Sequence, residues 1–369
     1  MWYKLNNPEK VFSPSLLFYK ERIQSNIQRM LHIAGDPARL VPHVKTHKTS
    51  EIITMQLNQG INKFKCATIA EAEMVAQAGG PWVLIAYQLV GPNIERLFKL
   101  KARYPDTTFA SLIDSESSAD LLSQQSENNH SVSSIFIDVN NGMNRTGRTT
   151  DASVLSLYRH IKALPGISVA GLHVYDGHIG NAAFAERKLV TETAYEKVYP
   201  LIDLIQKDLG NSPVIVVGGS PTFTVHTLRD DVLLSPGTSI LWDSGYGERF
   251  DDQPFQYAAL VLTRVISKPS PGTITIDLGH KAMAAENPIE NRFRLLNLTN
   301  YTVKSQSEEH GVLEVSQEVW ANTSIGDVLY ALPYHICPTV ALHEYASVIE
   351  DGEVTEEWKI VARNRRITL

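Results

Sequence analysis

The sequence predicts an α/β protein: a parallel (β/α)8 barrel of the TIM type, followed by a second, C-terminal, mainly-β domain. Three observations predict it. Between residues 13 and 244, short β-branched or aromatic runs alternate with stretches of helical periodicity, and strand followed by helix, repeated, builds a parallel sheet. About eight such units in roughly 230 residues suit a barrel closed on itself, with an open, doubly wound sheet as the main rival. After Asp243 the texture changes to strands separated by turns, and helical periodicity is nearly absent.

In chain order, the expected barrel strands are 15–19, 40–45, 63–67, 82–87, 108–113, 135–139, 169–174 and 214–217. Most are short apolar runs, the pattern of strands buried on both faces. Between them, 70–78 is rich in Ala and Glu, and 94–102 and 154–163 carry apolar residues at helical spacing. Residues 115–134, rich in Ser and Asn, predict an exposed helix and a loop. In the second domain, 257–267, 272–278, 311–319 and 327–332 read as strands. The expected boundaries are 13–244 for the barrel and 245–369 for the β domain, to which residues 1–12 are candidates to add a strand.

Composition bounds the function. The 369 residues are 43% hydrophobic and 20% charged, an ordinary globular mixture with enough apolar surface for a full core. A net charge of −6 argues against nucleic acid, whose binding needs a basic surplus. Cys66 and Cys337 are the two cysteines, too few for a disulfide-dense secreted scaffold. The N-terminus lacks the apolar stretch of a signal peptide, and no apolar run approaches the ~20 residues needed to cross a bilayer. A cytoplasmic enzyme is expected, with no membrane or nucleic-acid partner, assembled as a homodimer, the commonest symmetric state.

Active sites of parallel barrels lie where strands end and loops begin. His43 and Lys45 close the second expected strand on one face. A lysine directed into a barrel mouth loses hydration, which favours the neutral amine that attacks an aldehyde. The alternative is two solvated loop lysines, Lys45 and Lys48. After the eighth expected strand, Gly218-Gly219-Ser220-Pro221-Thr222 offers backbone N–H groups and hydroxyls to an anion, and Ser235-Pro236-Gly237-Thr238 is placed to complete the cradle. Arg145 sits between two glycine turns, where a guanidinium either holds a carboxylate or polarises a cofactor, or only braces its loop. Tyr175-Asp176-Gly177-His178 ends the seventh expected strand, and His178 is a natural acid or base near neutrality. His335 and Cys337, two residues apart on a segment expected to be extended, pair an imidazole with a thiolate, a donor set that suits zinc. With two protein ligands, such a site stays open to water or substrate.

Together these segments resemble the D-threonine aldolase and D-serine dehydratase family, fold-type III enzymes that share the N-terminal barrel of alanine racemase. The resemblance runs through Pro42–Lys48, Asn140–Gly147, Tyr175–His178, Gly218–Thr222, Pro236–Thr238, Glu308–Gly311 and His335–Thr339 in order. It implies pyridoxal 5′-phosphate (PLP) held by Lys45 as a Schiff base. It also implies Gly219, Ser220, Gly237 and Thr238 around the phosphate, and Arg145 and Tyr175 beside the ring. His178 would lie near the substrate hydroxyl, and His335 and Cys337 would bind a divalent metal, zinc first, manganese or magnesium otherwise. Two departures stand out. Ser235 occupies the position where alanine racemases carry an arginine, so it supplies no cationic partner to the ring nitrogen. No match to the second, tyrosine base of alanine racemase is found. The expected activity is a PLP- and metal-dependent lyase acting on D-3-hydroxy amino acids, by retro-aldol cleavage as in D-threonine aldolase, or alternatively by dehydration as in D-serine dehydratase. A racemase and a non-catalytic PLP carrier are the further readings.

Overall fold

The computed structural model describes residues 1–210 and 212–369. The chain forms two compact units: one comprises 30–45, 50–237 and 364–369, the other 1–29, 46–49 and 238–363.

The first unit is built on a parallel sheet with strands in the order Lys63–Cys66, Trp82–Gln88, Thr108–Ile113, Ser133–Asn140, Ile167–Val174, Val214–Val217 and Leu233–Leu234. Residues 40–44 join its two ends. Val41 N donates to Leu234 O at 2.8 Å and His43 N to Pro236 O at 2.8 Å on one side. On the other, Val44 N donates to Lys65 O at 2.9 Å and Lys65 N to Pro42 O at 3.0 Å. The ladder therefore closes on itself, as an eight-stranded barrel requires. Leu84, Ala110, Leu112, Phe136 and Val216 form one buried cluster of its core. Three helices that follow strands are capped by side chains: Thr68 Oγ1 accepts from Glu71 N, Ser115 Oγ from Ser118 N and Asp151 from Ser153 N, which satisfies N–H groups that helix geometry leaves without partners.

The second unit is mainly β. Its sheet runs Tyr301–Gln306, Gly311–Val315, Thr273–Ile276, Ala259–Ser270, Ser15–Tyr19, Tyr345–Glu350 and Glu353–Lys359, with Val328–Pro333 also on Ala259–Ser270 and Phe293–Leu295 beyond it. Tyr3, Leu5, Val11, Leu17, Tyr19, Leu260, Leu262, Tyr330, Leu332 and Ile349 form one core. Residues 1–12 thus contribute side chains and a short 3-10 turn at Pro8–Lys10 rather than a strand.

Three expectations change. Ser15–Tyr19 is not a barrel strand: it lies antiparallel to Ala259–Ser270 and parallel to Tyr345–Glu350. A five-residue run buried throughout has the same pattern in the centre of a mixed sheet as in a barrel. Its place in the barrel is taken by Leu233–Leu234, two residues long and too short to show periodicity. The strand expected over 311–319 stops at Val315, because Ser316 Oγ accepts from Val319 N and starts the helix Gln317–Asn322. His335 is extended, but Cys337 lies in the first turn of the helix Ile336–Leu342, so strand alternation is not what pairs them. Among the described residues, no helix is long and apolar enough to cross a membrane.

Candidate active site

In the barrel unit, Lys45 follows the closing segment and is half-buried, its backbone N donating to His43 Nδ1 at 3.3 Å. Its Nζ lies 6.0 Å from the centroid of the Tyr175 ring. The guanidinium carbon of Arg145 lies 4.9 Å from the same centroid, within cation–π range. Tyr175 thus has two of the expected cofactor residues around it. The glycine loop comes to the same ring: a Cβ at Gly219 would stand 2.9 Å from Tyr175 Cε2, so only glycine lets backbone and ring approach this closely. Gly218 has φ +67°, which turns the chain out of Val214–Val217. Ser220 Oγ accepts from Gly237 N at 3.1 Å, so the two loops expected to share an anion are in direct contact.

Thr222 has its hydroxyl engaged. It donates to Asp176 Oδ1 at 2.6 Å and accepts from Gly219 N at 3.4 Å. Asp176 Oδ2 meets His226 Nε2 at 2.7 Å, and both side chains are 1% exposed. Burial alone would raise the Asp176 pKa, but the electrostatic attraction of His226 and the hydrogen bonds from His226 and Thr222 outweigh it and lower it. This buried network, which the sequence did not disclose, ties the end of strand Ile167–Val174 to the glycine loop. His178 is exposed, with its Nε2 3.1 Å from where a Cβ on Gly142 would lie. The imidazole therefore lies beside the Arg145 loop.

Two further buried groups line this unit. His173 Nδ1 meets Asp138 Oδ1 at 2.8 Å, and Asp138 Oδ2 accepts from Gln88 Nε2 at 2.7 Å and Thr146 Oγ1 at 2.8 Å. Thr146 follows Arg145, so the barrel interior fixes the Arg145 loop. Lys65 Nζ sits 2.5 Å from Ser235 Oγ and 5.3 Å from the Tyr175 centroid. Burial, then the charge of Lys45, lowers its pKa to about 7. The desolvation expected of a barrel-mouth lysine falls most heavily on Lys65. The signal was present in the sequence: Lys65 stands between Phe64 and Cys66 in a short buried strand.

In the β unit, His335 and Cys337 come together at the start of Ile336–Leu342. Both Cys337 and Glu286 hydrogen-bond the His335 side chain, the Nδ1–Glu286 Oε1 distance being 2.6 Å. Asp243 builds this end: it accepts from Ile336 N at 3.0 Å and Tyr246 N at 3.1 Å, and burial pushes its pKa up to about 6. Thr238 Oγ1 lies 3.6 Å from Cys337 Sγ, and Thr46 Oγ1, next in the chain after Lys45, lies 3.2 Å from it. Glu308 and Glu309 pair with Lys281 at the surface. Among the described residues, no group of three or more His, Cys, Asp or Glu converges as a metal cage. His335 and Cys337, with the Glu286 carboxylate on the imidazole as metal-binding histidines usually have, would suit an open rather than a closed site.

For the cofactor, an amine at a strand end, an aromatic ring with a guanidinium over it and two touching glycine loops whose Gly219 and Gly237 N–H groups rest on the Thr222 and Ser220 hydroxyls fit an aldehyde bearing a phosphate.

Comparison with known proteins agrees with this geometry. Residues 19–244 match the model of the alanine racemase N-terminal domain, and residues 258–349 that of the putative serine dehydratase domain. The chain is 28% identical over 359 residues to D-threonine aldolase of Arthrobacter sp, spanning 96% of this chain and 93% of that protein. It is 25% identical over 375 residues to 3-hydroxy-D-aspartate aldolase of Paracoccus denitrificans (strain Pd 1222), again spanning 96% and 93%. The crystal structure of D-threonine aldolase from Filomicrobium marinum superposes with a TM-score of 0.86 at 25% identity, covering 96% of this chain and 95% of that one. With a match that takes in its glycine loops, Lys45 and Tyr175, this chain belongs to the alanine racemase N-terminal domain family.

Proposed function

We propose that this chain is a PLP- and metal-dependent lyase that cleaves D-3-hydroxy amino acids by retro-aldol reaction, giving glycine and an aldehyde. The observation that carries this reading is the cluster at one barrel end: Lys45 and Arg145 around Tyr175, with Gly219 against the same ring. Its aldolase relatives support the choice of reaction.

Lys45 Nζ would hold the cofactor covalently. The Ser220 hydroxyl and the N–H groups of Gly219 and Gly237, turning from Thr222 and Ser220, would bind its phosphate, with Thr222 and Thr238 also assigned there. Tyr175 and Arg145 would bound the ring. Bound there, PLP supplies an electron sink for the pair released at Cα. His335 and Cys337 would hold a divalent ion, zinc by the softness of thiolate, with manganese or magnesium as alternatives; such an ion supplies Lewis acidity toward the 3-hydroxyl. His178 would take the hydroxyl proton on its imidazole. We expect a homodimer.

The second reading is dehydration to a 2-oxo acid and ammonia, with Lys45 Nζ taking the α-proton. The serine dehydratase-type match over residues 258–349 favours it. Product analysis separates the two. With D-threonine, glycine and acetaldehyde mean aldolase, and 2-oxobutanoate and ammonia mean dehydratase. Recovery of only the L-enantiomer would sink both.

A further inference from the structure

Lys65 is the least explained group of the barrel unit. It is 2% exposed and pairs through its backbone with His43, one step deeper than Lys45 on the neighbouring segment. Its Nζ meets Ser235 Oγ at 2.5 Å. That hydroxyl has its own acceptors, Val217 O at 2.9 Å and Gly218 O at 2.8 Å, so the amine donates to it. An ammonium has three donors, and among the described residues the Lys65 amine has one hydrogen-bond partner, Ser235. Around it stand Lys45, Arg145, Asp138, Asp176, His173 and the Tyr175 ring. The two carboxylates are already engaged, Asp138 by His173, Gln88 and Thr146, and Asp176 by Thr222 and His226. A buried amine with spare donors is costly unless a ligand atom meets it.

The chemistry of the cofactor says which atom. This step rests on the reading that Lys45 holds PLP. Its attachment carbon is fixed by Lys45 and its phosphate by the 218–220 and 237 loops. Two polar ring atoms remain. The 3-oxygen is adjacent to the attachment carbon, on the edge away from the phosphate arm. The ring nitrogen lies at the far end, reached along the phosphate-bearing edge. Lys65 is tethered through Ser235 to the carbonyls of Val217 and Gly218, at the root of the phosphate loop. We infer that Lys65 is a cofactor-binding residue whose amine shares a hydrogen bond with the pyridine nitrogen of PLP. The ammonium donates to the bare nitrogen, or the neutral amine accepts from the pyridinium N–H; the pair holds one proton in either form. Burial, the leading cause of its lowered pKa, acts whether or not Lys45 carries a charge, and it favours the neutral form.

The test uses holoenzyme loaded with PLP labelled with 15N in the ring, in wild type and Lys65→Met. Borohydride reduction and peptide mapping first locate the cofactor. The label should stay on Lys45 in both. The ring 15N resonance should be that of a hydrogen-bonded nitrogen in the wild type and should move to that of a free pyridine in K65M. The variant should also release PLP about tenfold more readily, the scale of one hydrogen bond to a charged group. Label on Lys45 with the same 15N resonance and release in K65M overturns the inference and leaves the role of Lys45 intact. No label on Lys45 in the wild type overturns both. If K65M does not fold, the wild-type resonance alone decides: a ring nitrogen with the shift of a free, unbonded pyridine contradicts the assignment.

Discussion

Replacing Asp176 with Asn is a sharp test of how the cofactor loops are held. Its carboxylate receives Thr222 Oγ1 at 2.6 Å and His226 Nε2 at 2.7 Å, with no solvent to replace either. Arg229 Nη1 lies 3.1 Å from His226 Nδ1, and a guanidinium only donates, so Nδ1 accepts and Nε2 carries the proton toward Asp176. Asn retains one acceptor oxygen for two donors, and turned the other way its NH2 faces the Nε2–H. One charge-assisted bond is lost and the other weakened, at about 1.5–3 kcal/mol for each such bond. The loss of one and the weakening of the other put the expected cost of Asp176→Asn at about 3 kcal/mol. At ~2.1 cal/mol/K per residue, the unfolding entropy of 369 residues is ~0.8 kcal/mol/K, and the Tm should fall by about 4 °C. The sign of the pH dependence is fixed as well. Asp176 is lowered below its ordinary value of 3.8, so its contribution is complete above that value and is lost as pH falls through the lower folded value. D176N should therefore show a flatter loss of stability in acid than the wild type. Thermal melts followed by circular dichroism at pH 7.5 and across pH 2–5 read both effects. A Tm within 1 °C of wild type at pH 7.5, with an unchanged acid limb, would refute the account.

Other outcomes follow from the same geometry. Gly219→Ala places a methyl 2.9 Å from Tyr175 Cε2, so PLP retention in dialysis should weaken at least tenfold; retention at the wild-type level contradicts the shared ring. Glu286→Gln removes the carboxylate on His335 Nδ1 and should weaken divalent-metal binding about 10–100-fold, read by elemental analysis after graded chelation. Cys337→Ser should leave less metal still, and equal metal content in wild type and C337S would count against the donor pair.

Much of this was legible because strand ends in a parallel barrel announce themselves. Thr108–Ile113 and Val214–Val217 have the expected bounds, and the two glycine loops follow Val214–Val217 and Leu233–Leu234. The placement of Ser15–Tyr19 was not legible, since an apolar pentapeptide carries no record of its neighbours. The same holds for the two-residue strand Leu233–Leu234, which is defined by hydrogen bonds to Val216 and Val217 rather than by its own pattern. At the site, single residues at loop positions could be proposed from type and order. The brace from Asp176 to Thr222 and His226 spans 46 and 50 residues of chain, a separation at which no local periodicity operates. Asp243, which organises the turn under His335 and Cys337, is similarly remote at 93 residues from Ile336. Lys65 is readable in principle as a lysine inside a short buried strand, but the contact that gives it meaning, Ser235, lies 170 residues away.

Everything proposed for the site turns on Lys45 carrying the cofactor. Borohydride reduction of the PLP-loaded protein followed by peptide mapping tests it most directly. The account predicts one pyridoxyl group on Lys45 and loss of both the label and the visible absorption band in Lys45→Ala. A label on Lys48 or Lys65 in the wild type, or a band that persists in K45A, would contradict it.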